Sequence, residues 1–235
     1  MSTVRMKGSL TRAASNRLDG NREMFVKPII ANVPTRPELI APGKTKDDWR
    51  DFAKKLIPGG DEVLWAEAFD SFLFGRLRSR YIDPITAVRD GSKWTGEGFT
   101  IVSIQCALIE FLAALRQGKK FRHENPVPPH EYKNSRDLFC DFLRRIDPFD
   151  KLFTKAKAKD FYANVRCGLL HEARTKGDWI IWASGIPAVD CQRKIVYRDS
   201  FQDVIERYIH DYGLALLKEI PLQEAFIRKF DDLAT

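Results

Sequence analysis

The chain has 235 residues, 44% hydrophobic and 30% charged, with a formal net charge of +7. That is the length of one large domain, or one domain with appendages, and the composition of an ordinary soluble globular protein with ample apolar residues for its own core. Four cysteines (Cys106, Cys140, Cys167, Cys191) form no Cys-x-x-Cys pair and Met1–Ser15 carries no secretory leader, so reduced thiols in a cytoplasm are expected and a zinc site is not.

The charge is uneven. Residues 1–45 hold eight Arg/Lys against three acids, a net of +5, and the remainder nets only +2. This segment has no sustained apolar period, and Pro28, Pro34, Pro37 and Pro42 punctuate it, so a flexible basic arm over 1–45 is expected ahead of a helical domain over 46–235. Such an arm adds salt-sensitive, sequence-blind affinity for nucleic acid, or is simply a solvated tail. Thr45 then caps a helix, Lys46–Leu56, that ends at Pro58-Gly59-Gly60. Asp61 caps a longer one to about Tyr81, with Val63, Ala66, Phe69, Phe72, Leu73 and Leu77 in 3/4 spacing, and Pro84 follows it. The most apolar run, Phe99–Gln117, contains Gln105 and Glu110 and closes on Arg116, which argues for a central bundle helix and against a membrane span.

After a proline-rich loop, helices are expected over Ser135–Asp147 and about Ala156–Ala173, with Gly177 ending the second. Asp178–Ala183 alternates as a strand, and Lys194–Tyr197 is expected to pair with it as a hairpin over the Gly185–Gln192 loop. A last long helix, capped by Asp199 or Ser200, runs to about Glu219, where Pro221 breaks it before a short helical tail. The expected fold is therefore mainly α, a helical bundle with a small β-hairpin inserted before its last long helix.

The segment Phe161-Tyr-Ala-Asn-Val-Arg166-Cys-Gly-Leu-Leu-His171-Glu-Ala carries the chemistry. A guanidinium binds phosphate through paired donors, and an imidazole moves protons near neutral pH. On a helix, Ala158, Phe161, Val165 and Leu169 form the core face, Lys155, Lys159 and Tyr162 line up with Arg166 as a basic stripe, and Asn164, Cys167 and His171 form a further face. Arg166 and His171 lie about 140° apart and about 7.5 Å along the axis, straddling a groove that begins at Cys167. The bare spacing is unspecific, since Arg116…His123 repeats it loosely. Structural readings stand beside the functional one: a histidine bonded to nearby backbone, and an ion pair of Arg166 with Glu110 or Glu172.

The surroundings narrow this. The Arg166–His171 segment, the following Lys176-Gly-Asp-Trp179 leading into a strand, and the preceding helix with Ala107-Leu-Ile-Glu110-Phe-Leu together resemble the HEPN superfamily over residues 60–220. The resemblance implies a compact helical domain that pairs as a homodimer, many of whose members are metal-independent endoribonucleases of toxin–antitoxin, CRISPR-linked and antiviral systems. It implies Arg166 and His171 as the catalytic pair at the dimer cleft, RNA as the partner, a possible antitoxin or regulatory protein as another, and no cofactor, metal or membrane. Two positions depart from the pattern: Cys167 stands where many active members have Asn, Asp or His, and Thr175 where toxin-type members carry Tyr. Either departure is compatible with a non-catalytic module that binds RNA, nucleotides or a partner protein. In the catalytic reading Asn164 supplies the missing polar group beside His171, Glu110 orients Arg166, and Lys155, Lys159 and Tyr162 track RNA. His171 of one protomer takes the proton of the attacking 2′-hydroxyl and its symmetry mate protonates the leaving 5′-oxygen.

Overall fold

The computed structural model describes residues 38–91 and 95–235. The basic stretch up to residue 37 lies outside the described residues. The last part of the segment read as an arm is folded: β1 (Leu39–Ala41) and β2 (Lys44–Thr45) form an antiparallel hairpin in which Ile40 and Ala41 are buried. Side chains tie the hairpin down, since Arg76 and Arg80 donate to the Ile40 and Leu39 carbonyls. Thr45 starts α1 (Lys46–Ala53) with a reciprocal cap: its hydroxyl accepts from the Asp48 N–H, and the Asp48 carboxylate accepts from the Thr45 N–H.

Asp61 caps the next helix by accepting from the Val63 N–H at 2.9 Å. The chain then stays helical through α2 (Glu62–Glu67), a π-helical run Ala68–Phe74, α3 (Gly75–Leu77), a second π run Arg78–Ile82 and α4 (Asp83–Gly91). Pro84 therefore does not end it. A proline ring clashes with the carbonyl four residues back, and the widened turn just before it, where the Asp83 N–H reaches the Arg78 carbonyl, accommodates the ring. Val63, assigned to the core stripe in sequence, is exposed, while Trp65 is fully buried.

The long helix α5 (Glu97–Gln117) is the centre of the fold, packed against α4 and against four of the five helices that come after it in the chain. Its length and hydropathy pass for a membrane span, but ten of its residues are buried inside the protein. Gln105, the polar residue within that run, is fully buried and donates to the Arg198 carbonyl and to Gln202, which pins α5 in place. Gly118 ends α5 in the left-handed region, φ +60°, with the Ala225 carbonyl 2.7 Å from where a Cβ would stand. Only glycine permits both that backbone turn and the close crossing of the last helix over this end of α5.

A short parallel pair, β3 (Lys120–Phe121) and β4 (Glu131–Tyr132), precedes α6 (Ser135–Arg145) and a 3₁₀ turn, Phe149–Lys151. The chain continues through α7 (Lys155–Phe161), a π run Tyr162–Arg166 and α8 (Cys167–Glu172). Three strands follow: β5 (Ile180–Trp182), β6 (Val189–Asp190) and β7 (Ile195–Tyr197). Their order is β5-β7-β6, with β5 parallel to β7 and β6 antiparallel to it. The inserted hairpin expected from sequence is thus a three-stranded mixed sheet. Alternation fixes which residues face inward but not strand direction, and the connection over 183–194 meets the dozen or so residues a parallel return needs. Finally α9 (Arg198–Leu216) and α10 (Ile220–Leu233), with Pro221 in its first turn, pack on α5. One face of the core gathers Trp49, Phe72, Phe226 and Phe230, the other Phe139, Phe149, Phe161 and Phe201.

Candidate active site

Thr154 caps α7, and the core face of the segment follows the sequence phase: Ala158, Phe161, Val165 and Leu169 are buried. The π run then changes the register. The Cys167 N–H reaches the Tyr162 carbonyl, five residues back, and this wider turn sets Arg166 almost above Tyr162. The guanidinium carbon lies 5.3 Å from the centre of the Tyr162 ring, and Nη2 donates to Glu110 Oε2 at 2.7 Å. Both partners of this ion pair are largely buried, with side-chain exposures of 16% for Arg166 and 19% for Glu110. Burial works against the charged guanidinium, but the bond to Glu110 and the charge of that carboxylate outweigh it, so Arg166 is held above its ordinary value. The pairing that sequence reasoning set between Glu110 and Arg166 is present.

The pair lies in an open cleft of about 330 Å³. Ser103, Cys106, Ala107, Glu110, Phe111 and Ala114 form its floor, a single 3/4-spaced stripe along α5. Tyr132 of β4, Leu169 and Leu170 of α8 and Lys229 of α10 make its walls. Burial pushes the Cys106 thiol up to about 12, and burial followed by the charge of Glu110 pushes the Tyr132 hydroxyl up to about 12, so both are neutral hydrogen-bonding groups near pH 7.

His171 is elsewhere. It occupies the last turn of α8, is exposed, and makes no hydrogen bond among the described residues. Leu170, 61% exposed, forms the rim of the cleft in its place. The sequence expectation that Arg166 and His171 straddle one groove therefore fails within a single chain. The reason is Glu110, which draws the guanidinium inward while the helix phase turns His171 outward.

The supporting residues divide similarly. Asn164 does not supply a polar group to His171: its side-chain amide donates to Asp160 at 2.8 Å, and its backbone carbonyl accepts from the Lys176 N–H at 2.8 Å. The second oxygen of Asp160 accepts from the Trp179 indole at 2.8 Å, so one carboxylate ties α7, the following π turn and the entry to β5 together. Gly168 lets the turn after α8 fold back, since a Cβ there would stand 2.6 Å from the Arg174 carbonyl. Cys167 is half-buried beside Tyr162 and Arg166.

Lys155 and Lys159 are exposed as expected, but Arg166 leaves their stripe. Tyr162 is not open to a base, since Arg166 covers its face, Phe139 its edge, and its hydroxyl is bonded to Ser135 at 3.0 Å. After α5, Lys120 and Arg122 both pair with Glu131. Sequence reasoning missed the floor of the cleft, whose 103, 106, 107, 110, 111, 114 spacing is visible along α5, and Lys229, for which no local signal exists.

In comparisons with protein-family models, curated proteins and solved structures, none matches this chain.

Proposed function

We propose that the protein is a metal-independent endoribonuclease of toxin or defence type, whose Arg166 clefts are completed by pairing with a second copy. The reading rests on the resemblance of the Arg166–His171 segment to the HEPN superfamily. The observation that carries it is an arginine held by Glu110 in an open cleft, with an exposed, unbonded histidine five residues further along the same helix. Glu110 takes one edge of the guanidinium at Nη2 and fixes its orientation, and the remaining N–H groups are left to hold non-bridging phosphate oxygens. The histidine enters from the rim. In the paired form His171 of one copy accepts the 2′-hydroxyl proton as that oxygen attacks phosphorus, and the partner copy's imidazole protonates the departing 5′-oxygen. The products are a 2′,3′-cyclic phosphate and a 5′-hydroxyl.

A second reading has its own support. Within one chain Arg166 is already neutralised and His171 stands off the cleft, which suits a module that binds RNA, nucleotides or a partner protein without cleaving.

One experiment separates them: mixed RNA incubated with the full chain in EDTA, followed by end-group analysis. The enzyme reading expects cyclic-phosphate ends, with His171→Ala reducing the rate about 10²–10⁴-fold. Binding without cleavage favours the second reading, and cleavage that survives His171→Ala or stops in EDTA overturns the first.

A further inference from the structure

The cleft holds a second cation that the reaction above does not use. Lys229 enters it from α10 and is only 7% exposed. Its ammonium donates to the Lys119 carbonyl at 3.0 Å and lies 5.9 Å from the centre of the Phe111 ring. Among the described residues its only carboxylate partner is Asp232, at 3.9 Å, and Asp232 also faces Lys120 at 3.7 Å.

The same Phe111 ring carries the Arg76 guanidinium, again at 5.9 Å. Arg76 donates to the Ile40 carbonyl and has no ion-pair partner among the described residues. Burial, and then the neighbouring charge of Arg80, pull Arg76 down to about 10, and burial also lowers Lys229. Two cations thus lie against one ring, and among the described residues only Lys229 has a carboxylate beside it. Arg166, by contrast, has Glu110 at 2.7 Å. A buried cation is costly without a close counter-charge, and Lys229, unlike Arg166, has none nearer than 3.9 Å among the described residues.

The volume, about 330 Å³, falls in the range of small-ligand sites. Ala107, Leu169 and Leu170 give apolar wall, and Ser103 and Tyr132 give hydroxyls. Glu110 and Phe111 are adjacent on α5, so Arg166 and Lys229 approach the floor at neighbouring residues. Both cations line the one cleft, so a strand entering it meets each of them.

We propose that Lys229 is a phosphate-binding residue, taking the backbone phosphate next to the one held at Arg166, with the intervening sugar and base against Ala107 and Leu169. This rests on the reading of the cleft as an RNA site. It names a substrate contact that a purely structural role for Lys229, closing the end of α5 through the Lys119 carbonyl, would not supply.

The probe is a 2′-O-methyl oligoribonucleotide, which binds but lacks the attacking hydroxyl, followed by fluorescence anisotropy across salt concentrations. Lys229→Gln keeps a donor for the Lys119 carbonyl and removes the charge, Lys229→Met keeps the apolar stem, and Lys229→Arg keeps the charge; thermal unfolding verifies that each is folded. The first two are expected to bind about tenfold more weakly, with the slope of log K against log salt reduced by about 0.7, and the arginine variant to retain the wild-type slope. Folded Gln and Met variants with the wild-type slope would overturn the proposal, while His171-dependent cleavage by the wild type would leave the ribonuclease reading standing. A wild type that neither binds nor cleaves RNA defeats both. Displacement of the oligomer by adenosine monophosphate at concentrations below the oligomer's own Kd would reassign Lys229 to a free nucleotide and likewise overturn the chain-phosphate proposal.

Discussion

The guanidinium of Arg166 is fixed from three sides: Tyr162 beneath it, Glu110 at Nη2 and the half-buried Cys167 beside it. Such fixation matters because an arginine has many rotamers, and a phosphate clamp that must be ordered at each encounter loses much of its strength. Glu110→Gln separates orientation from charge. The amide still accepts a bond from Nη2, but the half-buried cation loses its counter-charge. The variant is expected to be less stable by about 1–3 kcal/mol. It is also expected to bind uncleavable RNA at least as tightly as wild type, because a competing anion is gone, yet to cleave more slowly because the arginine is less well placed. Thermal unfolding, anisotropy and initial cleavage rates measure the three effects. Weaker RNA binding by a folded Glu110→Gln protein would mean that Glu110 does not compete with phosphate at this site.

At the scale of elements, the site depends on how one helix is interrupted. The core phase of Ala158, Phe161, Val165 and Leu169 was legible in the sequence, as were the caps at Thr45 and Asp61, because apolar spacing and short polar side chains report local geometry directly. The π turns were not. A reading at 3.6 residues per turn puts Lys155, Lys159 and Arg166 on one stripe, and the wider turn over Tyr162–Arg166 takes the arginine out of it. Parallel pairing of β5 with β7 was equally hidden, since alternation is the same in either direction. Lys229 reaches the cleft through tertiary crossing alone. What holds the interrupted helix against the sheet is Asp160, which accepts from both Asn164 and Trp179. Asp160→Ala removes both bonds and leaves the Trp179 indole, otherwise buried, without an acceptor. A loss of about 2–3 kcal/mol is expected, with amide hydrogen exchange rising first over residues 173–182 while α5 and α9 stay protected. Uniform loss of protection throughout the protein would show that the carboxylate supports the whole core and not this junction.

For the whole molecule, the proposed chemistry requires His171 to meet an arginine that its own chain turns inward. The cleft is open on the side where Leu170 stands exposed next to His171, and an apolar side chain at the rim of an otherwise polar helix end is suited to contact between copies. A two-fold interface uses the same patch on both partners, so one contact would close both clefts with histidines from both chains. Leu170→Asp tests this without touching the core, because the residue is 61% exposed and a folded monomer is expected to tolerate it. Sedimentation should show the wild type as a dimer and the variant as a monomer of unchanged thermal stability, and RNA cleavage should be lost with the dimer. Mixed dimers sharpen the result. If the base comes from one protomer and the acid from the other, a dimer with one His171→Ala chain lacks one of the two groups, so an equal mixture of wild-type and variant chains should retain about one quarter of the wild-type rate and not one half. A rate proportional to the wild-type fraction would show that each cleft uses a single imidazole, and the two-histidine mechanism would then have to be abandoned.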